Sequence, residues 1–343
     1  MKDLFLTLPP FAPDYGGASE VMYECNGLVL IHDASGCTVN YVSFDEPRWH
    51  TRPGSVFTSG LTEIDAVMGN DDVLIEKAIK AAEVLHPNFI AYVGSSVPMI
   101  VGTDFTGIAR ETEERSGIPS FGFDCNGIHS YVKGASDALL ALVKRFCGKK
   151  TESKGTLVLG LIPMDDNCID ASREILKLFP NLRSCLSFDT DFDAFCDAQN
   201  AEKIVVASRS GLAAAVFLNQ KYGIPYSIGL PLKKYEKPHG SVLVIGEDVR
   251  ANSLAEALGN AEALDLFSPK GLARWHTIDE EEIRSIASGF ANVIADPVFR
   301  PLLSSRTNFI PMPSVSVSGG IFKETVRITD VDAIGDMLIS ESE

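Results

Sequence analysis

At 343 residues the chain exceeds what one hydrophobic core usually serves, so two or three units of roughly 100–150 residues are expected. Apolar residues make up 45% and charged residues 22%, the balance of a globular protein rather than a disordered one. A formal net charge of −16 repels phosphate backbones and anionic lipid, which sets aside nucleic-acid and membrane-surface roles.

No apolar run approaches the ~18 residues that mark a spanning helix. The apolar stretch before Pro9-Pro10 is too short for a signal peptide, so a cytoplasmic location is expected. Short apolar runs alternate with amphipathic helical stretches, the pattern of parallel sheets with crossover helices. The first unit, residues 1–150, opens with a strand at Leu28–His32 that ends in Asp33-Ala34-Ser35-Gly36-Cys37. A helical stripe from Asp71 to Leu85 leads to a strand at Phe89–Val93 and the turn Gly94-Ser95-Ser96-Val97-Pro98. A helix over about 104–116 precedes a strand at Pro119–Phe123, which opens into Asp124-Cys125-Asn126-Gly127, and a long helix over 131–146 closes the unit.

A polar, glycine-flanked stretch at 148–155 marks a boundary. The second unit, 151–235, reads as strands at 156–162, 203–206 and 225–228 with helices near 170–178 and 210–221. A linker at 233–240 introduces the third unit, 236–343, with a strand at Ser241–Gly246, a helix near 250–258 and strands near 292–295 and 308–310.

In an open parallel sheet, ligands bind beyond the carboxyl ends of the strands. The three loops of the first unit that leave such ends place Cys37, Ser95, Ser96, Cys125 and His129 on one rim. Cys37 follows Gly36 at a strand-to-helix turn, where backbone N–H groups favour the metal-binding thiolate; packing in a tight turn is the competing role. Cys125 sits in the same kind of place. The seven cysteines include no C-x-x-C pair, which excludes a zinc ribbon and a disulfide framework. Cys25, Cys147, Cys168, Cys185 and Cys196 are read as structural, and His32, alone in an apolar run, as a core histidine. Glycine-rich phosphate loops are missing, and Glu247-Asp248 at the 246–250 turn would repel a pyrophosphate.

Several segments resemble the nitrogenase component 1 family. His32-Asp33-Ala34-Ser35-Gly36-Cys37 is similar to its H-G-x-x-G-C cluster loop. Gly60–Gly69, Ser95–Asp104 and Phe123–Gly127 resemble three stretches that follow that loop in order, and Lys221–Pro225 and Val244–Leu254 resemble its second- and third-domain patterns. The resemblance implies three Rossmann-like domains with parallel sheets. It also implies a homodimer or a heterodimer with a related component 1 subunit, and an ATP-dependent iron protein as electron donor. Of the family's three first-domain cluster cysteines only Cys37 has a counterpart; no cysteine lies near Asp14, and Val97 replaces the third. The implied site is a [4Fe–4S] cluster on Cys37 as metal ligand, with Asp14, Cys125 and Ser96 as further cofactor-binding candidates. Ala207 falls where the second-domain cofactor cysteine aligns, so no molybdenum–iron cofactor is expected. These features imply a reductase subunit for a small or tetrapyrrole substrate other than dinitrogen, or a partner subunit or cofactor-assembly scaffold without its own cluster.

Overall fold

The computed structural model describes residues 6–34, 36, 41, 45–52, 54–268, 270–322 and 326–340. Cys37 lies outside them. Among the described residues every strand pairing is parallel, in three sheets. The first holds β1 (Gly27–Ile31), β2 (Val56–Thr58), β3 (Phe89–Val93) and β4 (Ser120–Phe123) in the order β2-β1-β3-β4. The second repeats that order as β6-β5-β7-β8, from β5 (Thr156–Leu159), β6 (Leu182–Leu186), β7 (Lys203–Val206) and β8 (Tyr226–Ile228). The third runs β11-β10-β9-β12-β13, from β9 (Val242–Gly246), β10 (Ala261–Asp265), β11 (Trp275–His276), β12 (Asn292–Ala295) and β13 (Asn308–Pro311). The α/β fold with parallel, Rossmann-like sheets expected from the sequence is the fold observed.

The strands read most easily in the sequence are those buried on both faces. β1 (Gly-Leu-Val-Leu-Ile) and β3 (Phe-Ile-Ala-Tyr-Val) are buried throughout, because helices cover both sides of a parallel sheet. On one side the helix Asp71–Leu85 buries Leu74, Ile75, Ala78 and Ala82 against Ile90, Tyr92 and Phe105. On the other, the helices Asp14–Met22 and Tyr131–Phe146 cross at close range. A Cβ on Gly17 would lie 2.0 Å from the Tyr131 carbonyl oxygen, and one on Gly134 1.9 Å from that of Asp14. Glycine is what lets the two backbones approach so closely.

The three sheets are tied together by more than their connections. The first and second share one apolar core, which runs from Val29 and Phe89 through Leu139 to Leu157 and Leu186. Arg48, fully buried, donates to Glu46, to Glu24 and to the carbonyls of Glu20 and Ser187, so one guanidinium joins the first sheet's helices to the loop after β6. The third sheet is reached by the 6–8 segment. One carboxylate oxygen of Glu280 accepts the N–H groups of Leu6, Thr7 and Leu8 at 2.8–2.9 Å. Among the described residues no helix is long and apolar enough to cross a membrane.

Candidate functional site

The rim of the first sheet forms as the parallel ladder runs out. His32 N–H donates to the Val93 carbonyl and Gly94 N–H to that of Phe123, which sets the three loops side by side. Ser95 Oγ donates to the His32 carbonyl at 3.0 Å, and Ser96 Oγ to the Asn126 carbonyl at 3.0 Å. Asp14, at the start of its helix, is buried beneath the third loop. Its Oδ2 accepts Asn126 N–H at 2.9 Å, and its Oδ1 accepts the N–H groups of Gly127 (2.8 Å) and Tyr15 (2.9 Å). His129 Nδ1 lies 3.6 Å from the same carboxylate. Gly127 adopts a φ of +73°, a left-handed turn that glycine makes without strain.

Asp14, Ser96 and the Cys125–Gly127 loop therefore share one rim. Their chemistry is that of a braced loop. Both oxygens of Asp14 are engaged by backbone donors. Cys125 is buried, and burial, with the Asp14 carboxylate adding to it, pushes its thiol well above the ordinary range, so it stays protonated. His32 hydrogen-bonds Ser59 Oγ at 2.8 Å, and burial lowers its pKa, the behaviour of a neutral core histidine. Cys25 is fully buried, with its thiol directed to the Val21 carbonyl. Among the described residues no group of three or more His, Cys, Asp or Glu is placed to hold a metal ion. The described donors of one chain do not fit a four-ligand cluster.

A second site was not singled out by sequence reasoning. The loops leaving β5, β9, β12 and β13 converge on a narrow cleft, with about 50 Å3 of free space, and β9 and β12 mark the point where the strand order of the third sheet reverses. Phe267, Phe299 and Met312 supply apolar wall. Arg250, in the first turn of the helix Asp248–Leu258, reaches across from the third sheet. One terminal nitrogen donates to Asp166; the other, Nη1, is buried without a hydrogen-bond partner among the described residues. Asp166 also accepts Ser172 Oγ at 2.6 Å. Arg327 lines the same cleft, with its guanidinium 4.0 Å from Glu174.

Three further acids line this cleft, Asp165, Glu247 and Asp296. Tyr131 OH donates to Asp165, and burial pushes Asp165 up to about 6, against the pull of Arg250. Burial, reinforced by Asp165, raises Glu247 well above the carboxylate range. Glu247 accepts the N–H groups of Arg209 (2.7 Å) and Arg250 (3.1 Å). A side-chain carboxylate thus fills the helix start that a phosphate would otherwise occupy, which is the physical form of the repulsion read at Glu247-Asp248. The signal for this cleft was local and faint: two consecutive acids, Asp165-Asp166, just beyond a buried strand.

The profile of the nitrogenase component 1 type oxidoreductase family matches residues 14–232. The chain is 23% identical over 226 residues to the nitrogenase molybdenum-iron protein alpha chain of Clostridium pasteurianum, covering 59% of this chain and 42% of that one. It is 30% identical over 96 residues to component CfbD of the Ni-sirohydrochlorin a,c-diamide reductive cyclase complex of Methanothermobacter thermautotrophicus, covering 27% of this chain and 24% of that one. The solved structure described as nitrogenase Cp1 at pH 6.5 superposes with a TM-score of 0.61 at 18% identity, over 78% of this chain and 64% of that one. The chain spans less than half the length of these curated relatives.

Proposed function

The chain belongs to the nitrogenase component 1 type oxidoreductase family, and from that membership we propose that it is one subunit of a two-chain reductase whose substrate, small or tetrapyrrole and not dinitrogen, occupies the cleft between the second and third sheets. The observation that carries this reading is the unpartnered Nη1 of Arg250 on the wall of that cleft, with Arg327 beside it. A buried donor without an acceptor costs about 1–3 kcal/mol, and an anionic group on a bound ligand relieves that cost. The likeness to a component of a Ni-sirohydrochlorin a,c-diamide reductive cyclase complex supports the tetrapyrrole class, whose carboxylate side chains match the two guanidiniums.

In this reading the chain's own residues bind and protonate. Arg250 and Arg327 fix a carboxylate, and the apolar wall excludes water. Burial and the neighbouring Asp165 hold Glu247 well above the carboxylate range, which suits it to pass a proton to a reduced substrate. Electrons come from an ATP-dependent iron protein. The described donors of one chain are too few for a cluster, so a [4Fe–4S] cluster rests on Cys37 together with thiolates of a second component 1 chain, identical or related.

Anaerobic reconstitution with iron and sulfide tests the assembly. About four irons per dimer are expected, lost in Cys37→Ala with the circular dichroism unchanged. Iron held undiminished by Cys37→Ala overturns the ligand assignment. The shortage of metal donors among the described residues favours a second reading, a partner subunit or cofactor-assembly scaffold without a cluster of its own. That reading expects no iron in the dimer, with or without Cys37.

A further inference from the structure

Asp45 lines a cleft that borders the rim at Tyr15 and Gly127 but takes part in neither grouping described above. It is 8% exposed and, among the described residues, makes no hydrogen bond or ion pair. Its small exposure is to an open cleft of about 340 Å3 between the 9–15 segment and the helix Val315–Ser318. Its carboxylate lies over the first turn of the helix Asp14–Met22; a Cβ on Gly16 would be 3.6 Å from its Oδ2. Phe11, Pro10, Val315, Val317 and Ile321 make the walls mainly apolar.

The charges around Asp45 are committed elsewhere. Glu46 is bound to Arg48 and receives the Tyr41 hydroxyl. Asp14 is held by backbone N–H groups. The helix Val315–Ser318 brings only Ser316 and Ser318, and Ser318 Oγ donates to Asp296. Among its described lining residues the cleft has one acid and no Lys, Arg or His. A carboxyl in a mainly apolar trough gains most from a positive partner.

We propose that this cleft binds an amphipathic organic cation, with a flat apolar body against Phe11, Val315 and Ile321 and an ammonium or amidinium group on the carboxylate of Asp45. Among the described residues the charge complement is one acid in an apolar trough, which selects a single positive group over a neutral or anionic one. Burial, with Glu46 adding to it, pushes Asp45 up to about 7, so the carboxylate ionises across neutral pH. A ligand that stays charged therefore binds more tightly as pH rises from 6 to 8.

The experiment is calorimetric titration of the full chain with benzamidine, a flat amidinium, and with its neutral counterpart benzamide. The expected results are benzamidine binding at least tenfold tighter than benzamide, tightening from pH 6 to 8, and loss of that preference in Asp45→Asn. Equal affinity for the two probes, an affinity flat with pH, or no binding of either overturns the proposal. The probe comparison and the pH series use the unmodified chain, so they decide the matter even where Asp45→Asn fails to fold. Neither readout depends on iron content or on Cys37, so this site and the reductase reading fail separately.

Discussion

The carboxylate of Asp14 accepts the N–H of Gly127 at 2.8 Å across 113 residues of sequence, and its second oxygen takes the neighbouring N–H of Asn126. The rim loop after β4 is therefore held by a side chain from the first helix. Asp14→Asn turns an amide N–H2 toward one of those donors, leaving a buried N–H unpaired. A loss of about 1–3 kcal/mol is expected, seen as a lower denaturant midpoint with unchanged secondary structure. An unaltered midpoint, together with loss of iron from the reconstituted dimer, would instead show Asp14 to be a ligand.

The crossing at Gly134 reverses an ordinary preference. In a helix interior, alanine is favoured over glycine by about 1 kcal/mol. Here the added methyl would meet the Asp14 carbonyl at 1.9 Å, and backbone cannot swing aside as a side chain does. Gly134→Ala should destabilise by about 1–3 kcal/mol by chemical denaturation. A stabilised variant would mean that the two helices are free to separate.

Arg48 supplies the positive charge in a fully buried knot with Glu46, beside Glu20 and Glu24. Arg48→Ala strands Glu46, while Glu24 keeps Arg52, and should cost about 3–5 kcal/mol. Arg48→Met with Glu46→Gln, which removes charge from both sides, should recover part of that loss. Equal destabilisation by the single and double variants would show that the guanidinium acts through packing alone.

Asp165, pushed up to about 6 by burial, binds its proton more tightly in the folded chain than in the unfolded one, where 3.8 is ordinary. Its stabilising share is complete below pH about 4 and is withdrawn as pH climbs through 6. Thermal unfolding should therefore fall to lower temperature between pH about 4 and 7, with no further fall from this group above that. Asp165→Asn, which cannot ionise, should flatten that slope; a slope left unchanged by the substitution would assign it to other groups.

Burial on both faces makes a strand legible. β1 and β3 announce themselves as unbroken apolar runs, and the helix Asp71–Leu85 as a stripe. β6 (Leu-Arg-Ser-Cys-Leu) and β10 (Ala-Glu-Ala-Leu-Asp) do not, since each is partly exposed and carries charge. β2 and β11, three and two residues long, fall below any useful window. The rim could be read because each of its loops follows a recognisable strand. The cleft could not, because Arg250 meets Asp166 across 84 residues and two different sheets. Periodicity reports the face a residue turns inward, and it carries no trace of such a meeting.

The grip of Glu280 on residues 6–8 also has a schedule. On a ribosome adding about 5–20 residues per second, the carboxylate emerges roughly 15–55 s after the segment that it holds, 272 residues earlier. For that interval Leu8, an apolar residue destined for the core of the third sheet, has no home. The segment is a late clasp, fastened once the third sheet exists, and a nascent chain stalled before Glu280 leaves it open to chaperones and proteases.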